Sequence, residues 1–273
     1  MIELPESNTI AKQLKEELTG KKIDHVIAGH TPHGFAFYNG GPESYEELLM
    51  GKTIDDVVAV GGNIEVFAED ISILLGEGIN IRFLEPGMEI PKKHQLYIGF
   101  VDGAVLVCTI QLYALLNVSK IGGNDDNKYY MEGKIKPSPL TEEFNKDYFY
   151  QIIEQVKPNL STKALLATEQ RIPGLGNGVL HDILFDAKIN PKRKVQTLSE
   201  LEKEQLFLSI KSVLKKMTGL GGRDTEKDIY GKNGGYPSIL SNKTINEPCI
   251  RCGGDIVRKT FLGGNIYYCT KCQ

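Results

Sequence analysis

Apolar residues near the start of the chain recur with the period of a helix. Ile10, Leu14 and Leu18 fall on one stripe of the segment LPESNTIAKQLKEELTGKK, which is the spacing of one helical face. This pattern predicts an amphipathic helix that buries the stripe. The residues available to begin and end it are Ser7 and Asn8 as caps and Gly20 as the stop.

The apolar pattern then shortens to runs typical of strands. From Ile23 to about Leu116, short runs such as HVIAGH, NIEVFAE and INIRFLE are broken by Gly, Pro, Asn and Asp. Frequent turns between short strands predict a β-sandwich or a barrel. The segment IGGNDDNKYYMEGKIKPSPLT has the loops and prolines of a linker.

Beyond the linker the apolar period is helical again, with prolines and glycines that separate short helices. We therefore predict an α+β multidomain chain. Its expected parts are an N-terminal helix and β-sandwich over residues 1–125, a linker over 126–144, a helical domain over 145–244 and a small cysteine-built unit over 245–273.

Charge is distributed unevenly between the two halves. Residues 1–130 contain 10 Lys and Arg against 19 Asp and Glu, whereas residues 131–273 contain 22 against 16. Clustered basic residues gain from releasing counterions condensed on phosphates, which favours a nucleic-acid partner for the second half. Solvated helix faces are an equally good explanation of the charge alone.

The chain contains no run of eighteen apolar residues, and it opens without an apolar signal segment. We therefore expect no membrane span and a cytoplasmic location.

Four of the five cysteines form a C-x2-C pair, a spacer of sixteen residues and a second C-x2-C pair. These four residues are Cys249, Cys252, Cys269 and Cys272. The spacing predicts one tetrahedral zinc ion, which would be structural because four thiolates leave no open position for water or substrate. Two disulfides are the alternative, but Cys108 would then be left over. Cys108 itself lies in an apolar run and is expected in the core.

A compact glycine-rich turn, Gly174 to Asn177, directly precedes a predicted helix. Such a turn offers backbone N–H groups and a helix N-terminus to an anion, and its glycines would let a phosphate approach closely. An ordinary connection between helices is the alternative. His181, on the helix that follows, is expected to be a polar surface residue.

This stretch resembles the helix-two-turns-helix element of the formamidopyrimidine-DNA glycosylase and endonuclease VIII family. The match consists of Glu169, Gln170, Arg171, Gly174 to Asn177, Ile189, Pro191 and Arg193 in EQRIPGLGNGVLHDILFDAKINPKRK. The opening ELPE, the GYP turn after GGRDTEKDIYGKNG and the four-Cys finger ending in CQ extend the resemblance over essentially the whole chain.

The resemblance implies duplex DNA, damaged or abasic, bound by a monomer in a cleft between the β-sandwich and the helical domain. Asn177 and Lys163 would contact phosphates beside an everted nucleotide, and Tyr236 would brace the same backbone. The residues implied for DNA binding are Lys163, Arg171, Gly176, Asn177, Lys227, Tyr236 and Arg258.

The N-terminus departs from the family pattern. Members that cut DNA usually carry proline after the initiator methionine, and its amine attacks the sugar; here Ile2 occupies that position. Isoleucine is too large for removal of the methionine, so the amine would be that of Met1, up to about 3.8 Å further out. Glu3 and Glu6 match the family's ELPE, where the first carboxylate acts in acid-base steps; capping of the helix is an equal alternative for both.

Other expected groups are missing. Asn63 stands where the family has a catalytic lysine, and Glu77 is expected near the tip of the loop that should offer an apolar wedge to the base stack. The partner loop, CTIQLYALL, lacks arginine and phenylalanine, and in the finger Gly264 or Asn265 replaces an arginine that grips phosphate.

Two functions follow from these observations. The first is a divergent DNA glycosylase of base excision repair, with AP lyase activity or with a hydrolytic route in which Glu3 activates water. The second is a catalytically silent paralogue that recognises damaged or bent duplex. Either would act on nucleoid DNA.

Overall fold

The structure, a computed structural model, describes residues 1–38, 41–111 and 113–273. Leu112 of the CTIQLYALL loop lies outside the described residues. In chain order, the first part contains α1 (Leu4–Leu18), β1 (Ile23–Ala28), β2 (Ala36–Phe37), α2 (Tyr45–Leu49), β3 (Ile54–Val60), β4 (Asn63–Ala68), β5 (Ile71–Leu75), β6 (Ile79–Leu84), β7 (Leu96–Phe100), β8 (Val105–Ile110) and β9 (Ala114–Lys120).

The second part is helical and ends in a hairpin. It contains α3 (Lys128–Ile135), α4 (Lys146–Gln155), α5 (Thr162–Ala167), α6 (Val179–Asp186), α7 (Glu200–Gly219), β10 (Ile256–Phe261) and β11 (Gly264–Cys269). The segment predicted as a linker therefore includes a helix, α3. No helix among the described residues has the length and apolar character needed to cross a membrane.

The strands of the first part form two sheets that pack face to face, and β10 and β11 pair separately. One has the order β1-β7-β8-β6 and the other the order β2-β9-β5-β4-β3. All neighbours are antiparallel except β2 and β9, which are parallel. Their inner faces share one apolar core, which includes Cys108 as predicted. The predicted sandwich is confirmed.

The first helix joins the two parts of the molecule. Ile10, Leu14 and Leu18 enter the core of the sandwich, as their spacing predicted. Leu4, at the start of the same helix, packs instead in the apolar core of the helical part. The N-terminus of the chain therefore lies at the junction of the two cores.

The predicted start of α1 was wrong. The helix begins at Leu4, with Glu3 as its N-cap, and Ser7 and Asn8 lie within its first turns. Glu6 Oε2 accepts a hydrogen bond from the backbone N–H of Glu3 at 3.1 Å. Proline in the first turn and this acidic bond start the helix earlier than the small polar residues would.

Candidate functional site

The glycine-rich turn between α5 and α6 binds an anion that belongs to the same chain. The Glu3 carboxylate accepts N–H bonds from Gly178 and Val179, both at 2.8 Å, and from Gly176 at 3.3 Å. A Cβ on Gly176 would lie 2.6 Å from Glu3 Oε1, so this close approach requires glycine. The expectation of a phosphate in this turn is therefore corrected, because Glu3 occupies these donors.

A buried arginine completes the surroundings of Glu3. Arg223 is 4% exposed, and its Nη2 donates to Glu6 Oε2 at 2.8 Å, while its Nε donates to Glu6 Oε1 at 3.0 Å. Its Nη1 lies 3.6 Å from Glu3 Oε1. Burial alone would lower the pKa of Arg223, but the two carboxylates raise it above its usual value. The sequence analysis assigned no role to Arg223, because nothing in its local pattern distinguishes a buried arginine from an exposed one.

The first two residues are held on both sides of the junction. Ile2 is buried in the sandwich core, and its N–H donates to the backbone oxygen of Glu77 at 3.0 Å. The N-terminal ammonium of Met1 lies 2.6 Å from Glu226 Oε2. Glu226 follows α7, so this ion pair joins the start of the chain to the second part of the molecule. It is a second contact that the sequence analysis missed.

A cavity of about 330 Å³ opens beside the N-terminus. The sandwich contributes Glu77 and Arg82 to its lining, and the segment after α7 contributes Glu226 and Lys227. Met1 lies on its wall. The N-terminal amine therefore faces a space between the two parts of the molecule.

Glu77 lies at the turn of its loop, as expected, but its side chain is only partly exposed. It lies in the turn between β5 and β6, and its carboxyl is so close to Gly62 that a Cβ there would lie 3.2 Å from Oε1. Burial, and then the charge of Glu3, raise the pKa of Glu77 to about 7, although the N-terminal ammonium opposes this shift. The carboxyl thus faces the N-terminus.

The two predicted phosphate ligands donate hydrogen bonds to the tip of the C-terminal hairpin. Asn177 Nδ2 donates to the backbone oxygen of Asn265 at 2.7 Å, and Lys163 Nζ donates to that of Phe261. Lys163 is 4% exposed, and burial lowers its pKa. Asn177 Oδ1 is buried without a hydrogen-bond partner among the described residues.

Two residues expected at DNA have partners within the protein. Arg171 Nη1 donates to the carbonyl oxygens of Ala164 and Thr168, so it caps the C-terminal end of α5. Tyr236 is 3% exposed, and its hydroxyl bonds Asp182, which together with burial raises the pKa of Tyr236. Both side chains satisfy buried groups, because an unpaired polar group inside the protein is costly.

The remaining predicted positions are nearer to solvent. Lys227 is exposed at the rim of the cavity, and Arg258 is exposed on β10 with Nη1 3.3 Å from Asn242 Oδ1. Asn63 begins β4, and its side-chain amide donates to the carbonyl of Val60 at 3.3 Å.

The expectation of a surface position for His181 was wrong. Its side chain is 3% exposed and packs edge-on against Tyr267, with ring centroids 5.1 Å apart. Burial, and then the charge of Lys163, lower its pKa to about 3, while a hydrogen bond to the backbone of Asn265 opposes this shift. The α6 face that carries His181 is covered by the hairpin, a contact that helical periodicity cannot reveal.

The four cysteines of the hairpin converge on one point. Their sulfur atoms all lie within 4.8 Å of one another, with Cys249 Sγ 3.7 Å from Cys272 Sγ and Cys252 Sγ 3.5 Å from Cys269 Sγ. Tetrahedral Zn–S bonds of about 2.3 Å place neighbouring sulfurs about 3.8 Å apart. All four cysteines are free, so the disulfide alternative does not hold. The cluster is consistent with a metal site.

The architecture is that of a helix-two-turns-helix protein. It combines a sandwich with a leading helix, a glycine turn that binds the N-terminal segment, and a four-cysteine hairpin. The sequence matches the formamidopyrimidine-DNA glycosylase H2TH domain over residues 135–228. Two formamidopyrimidine-DNA glycosylases match along all or nearly all of their length. That of Listeria monocytogenes is 29% identical, with 100% of both chains covered, and that of Bacillus cereus is 25% identical, with 100% of this chain and 99% of the relative covered.

Solved structures show the same fold. The Lactococcus lactis Fpg in complex with abasic-site DNA superposes with a TM-score of 0.82 and 25% identity, over 99% of both chains. The Thermus thermophilus MutM (Fpg) protein gives a TM-score of 0.82 and 22% identity, over 99% of this chain and 98% of that one. Over its whole length the chain is similar to formamidopyrimidine-DNA glycosylases, and its residues 135–228 match the H2TH domain of that family.

Proposed function

We propose that this protein is a DNA glycosylase that recognises damaged nucleotides in duplex DNA during base excision repair. The observation that carries the proposal is a second cavity, of about 250 Å³, whose lining brings together Met1, Glu3 and the glycine-turn residues Asn177 and Gly178. An amine and a carboxyl group at one cleft can serve attack and proton transfer at a sugar.

Duplex DNA is the proposed partner. The related Lactococcus lactis protein was solved with DNA containing an abasic site. In this chain the positive charge lies in residues 131–273, where Lys163, Lys227 and Arg258 are the cations proposed to meet phosphates. Lys163 and Asn177 each have further N–H donors besides the one that bonds the hairpin. They can therefore donate to a phosphate while they stay bonded to the hairpin. A monomer associated with the nucleoid belongs to the same proposal.

Zinc is the metal proposed for the four-cysteine cluster. Four thiolates at the observed separations suit one tetrahedral zinc ion and leave no site for substrate. The ion would stabilise the hairpin whose tip accepts the hydrogen bonds of Lys163 and Asn177. Its role is therefore structural, and the reaction depends on the residues at the N-terminus.

The proposed nucleophile is the amine of Met1, because an isoleucine at position 2 is too large for removal of the methionine. An α-amine has a pKa of about 8, so a useful fraction is neutral near pH 7, unlike a lysine at about 10.4. Hydrolysis with Glu3 as the base is less well supported, since three N–H groups and Arg223 already occupy its carboxylate.

A catalytically silent DNA-binding protein is the second candidate. It is favoured by the ion pair between Met1 and Glu226, which already engages the amine, and by Asn63 at the position expected for a lysine. Such a protein would keep the DNA-binding turn and finger without the reaction.

One experiment separates the two candidates. The protein is incubated with a duplex containing one abasic site, and borohydride is added to reduce any Schiff base, while binding is measured by fluorescence anisotropy. A covalent adduct supports the glycosylase and lyase. Tight binding without an adduct supports the silent protein, and no preference for the abasic duplex over undamaged DNA contradicts the proposed function.

A further inference from the structure

Glu77 has a position that the reaction outlined above does not use. Its backbone oxygen binds the N–H of Ile2 at 3.0 Å, which ties the β5–β6 turn directly to the N-terminus. Glu77 and Met1 line the same cavity, and the Glu77 carboxyl is close enough to the N-terminal ammonium to interact with its charge. The carboxyl is therefore part of the wall that faces the amine.

The other carboxylates around the amine are already engaged. Glu3 accepts three N–H bonds from the glycine turn, and Glu6 forms two hydrogen bonds with the side chain of Arg223. Glu226 forms the ion pair with Met1. By contrast, no group among the described residues donates a hydrogen bond to the Glu77 carboxyl.

The charges that face Glu77 come from three elements. The N-terminal segment provides the Met1 ammonium, Glu3 and Glu6. The segment after α7 provides Glu226, Lys227 and Asp228 across the cavity. Arg82 on β6 lies on the same wall as Glu77. The neighbouring turn at Gly62 adds no charge. Burial and Glu3 outweigh the ammonium, so the pKa of Glu77 is raised to about 7.

We propose that Glu77 is the proton-transfer group of the N-terminal amine in its attack on the sugar. The proposal rests on the proposed glycosylase and lyase function, and it adds a residue for which the family resemblance gave no role in proton transfer. Its basis is the placement of an otherwise unbonded carboxyl on the cavity wall beside Met1.

The proposed step with an abasic sugar conserves every atom and charge. The Met1 ammonium gives a proton to the Glu77 carboxylate, and the amine nitrogen lone pair forms a bond to the aldehyde carbon C1′. The carbonyl oxygen takes this proton from Glu77 and becomes a hydroxyl. Glu77 then accepts a second proton from the nitrogen and gives it to the hydroxyl, which leaves as water while the nitrogen lone pair forms the double bond of the protonated Schiff base. Glu77 ends the step as it began, as a carboxylate.

A carboxyl that titrates near the working pH is effective in both directions of such a transfer, because general acid-base catalysis is strongest when the pKa of the group is close to the pH. The same group would be a poor wedge for stacked bases. The substitution of the apolar wedge therefore gains an explanation in proton transfer.

The test compares wild-type protein with Glu77→Gln, which keeps the size of the side chain but cannot titrate. Single-turnover formation of the borohydride-trapped adduct is followed from about pH 5.5 to 9. The wild-type rate should rise through about pH 7 as Glu77 becomes a carboxylate. In Glu77→Gln this inflection should disappear and the rate should fall by about 100-fold or more, as is typical for loss of a general acid-base group.

Two controls keep the outcomes separate. Glu89→Gln changes an exposed carboxylate and should leave both rate and profile unchanged. Glu77→Asp keeps an acid and should retain a pH inflection even where its rate is reduced, which a purely structural role would not predict. Thermal unfolding and abasic-duplex affinity are measured for each variant.

The possible failures are distinguishable. An unchanged pH profile in Glu77→Gln, with an adduct in both proteins, overturns the role of Glu77 and leaves the proposed function intact. Binding of abasic duplex without an adduct from wild-type protein at any pH overturns the proton-transfer role together with the lyase chemistry. Failure to prefer abasic duplex contradicts the proposed function itself.

Discussion

Single residues decide the electrostatics of the N-terminal site, and Arg223 is the clearest example. Its guanidinium is the buried positive charge that faces both Glu3 and Glu6. Replacing a whole buried ion pair by apolar residues often changes the stability of a protein little. Removing only one partner is strongly destabilising, because it leaves an uncompensated charge inside the protein.

We expect Arg223→Met to lower the free energy of unfolding by about 3 to 5 kcal/mol, because two buried carboxylates lose their counter-charge. Urea denaturation at pH 7 measures this loss. Arg258→Met removes an exposed arginine and serves as the matched control, with a change within about 0.5 kcal/mol. A loss below about 1 kcal/mol in Arg223→Met would show that the carboxylates find other partners.

Glu226 restrains the N-terminal amine through an ion pair, with Glu226 Oε2 2.6 Å from the Met1 nitrogen. The amine has to leave this contact before it can attack a sugar carbon. We expect Glu226→Gln to raise the rate of adduct formation at pH 7 several-fold, and intact mass to confirm that Met1 is present. A slower reaction would mean that Glu226 positions the amine rather than restraining it.

His181 gives the folded protein a defined dependence on pH. Its pKa is about 3 in the folded state against a usual 6.5, so the unfolded chain takes up a proton first as the pH falls. The stability that His181 contributes is present above about pH 6.5 and is lost towards pH 3. Asp182, whose pKa burial raises to about 6, acts in the opposite direction below that pH.

Comparison with a variant isolates the histidine. Between pH 7 and pH 5, wild-type protein should lose about 2 kcal/mol more stability than His181→Gln, since the contribution of Asp182 is common to both. Denaturant unfolding at the two pH values measures the difference. His25→Gln, at an exposed position on β1, should behave as wild type. Equal pH dependence in wild type and His181→Gln would mean that His181 can be protonated in the folded state.

At the scale of elements, the hairpin and the glycine turn work as one unit. The tip of the hairpin accepts hydrogen bonds from Lys163 and Asn177, and the hairpin's apolar residues Ile256 and Tyr267 share a small core with Phe185 of α6. So small a core cannot hold the hairpin without further support, which a metal at the four cysteines would supply.

We expect one zinc ion per chain, and we expect its removal by a chelator to weaken binding of abasic duplex, because Lys163 and Asn177 lose the carbonyl groups that orient them. Metal analysis and anisotropy titrations measure the two quantities in the same samples. Restoring zinc should restore the affinity. Undiminished affinity in zinc-free protein would show that the turn holds these side chains without the hairpin.

At the scale of the whole molecule, charge is separated between the parts. The acidic first part contributes most of the residues that line the cavity. The cations proposed for phosphate contacts lie in the second part. Three such contacts, from Lys163, Lys227 and Arg258, predict that duplex affinity falls about 40-fold between about 50 and 200 mM monovalent salt.

Titrations at several salt concentrations give the slope of this dependence. Lys227→Gln should reduce the slope by about one, because it removes one phosphate contact. Lys120→Gln, in the acidic part at the end of β9, should leave the slope unchanged. A flat salt dependence in wild-type protein would argue against phosphate contacts altogether.

Much of the architecture could be predicted from the sequence because local chemistry determined it. The helical stripe of α1, the short strands, the family resemblance of the glycine turn and the convergence of four cysteines each depend on residues close together in the chain. All four are confirmed. The division into domains at residues 125, 144 and 244 and the roles of the site residues stay predictions.

Only the tertiary structure decided what the site residues touch. Met1 meets Glu226, Glu3 fills the turn expected to hold phosphate, and Arg223 is buried between two carboxylates. These contacts join residues more than 170 positions apart, and no spacing pattern extends over such distances. The sequence by itself determined which elements form and which family they resemble. Their packing decided which charges are buried together, because desolvation and pairing depend on neighbours in space rather than in the chain.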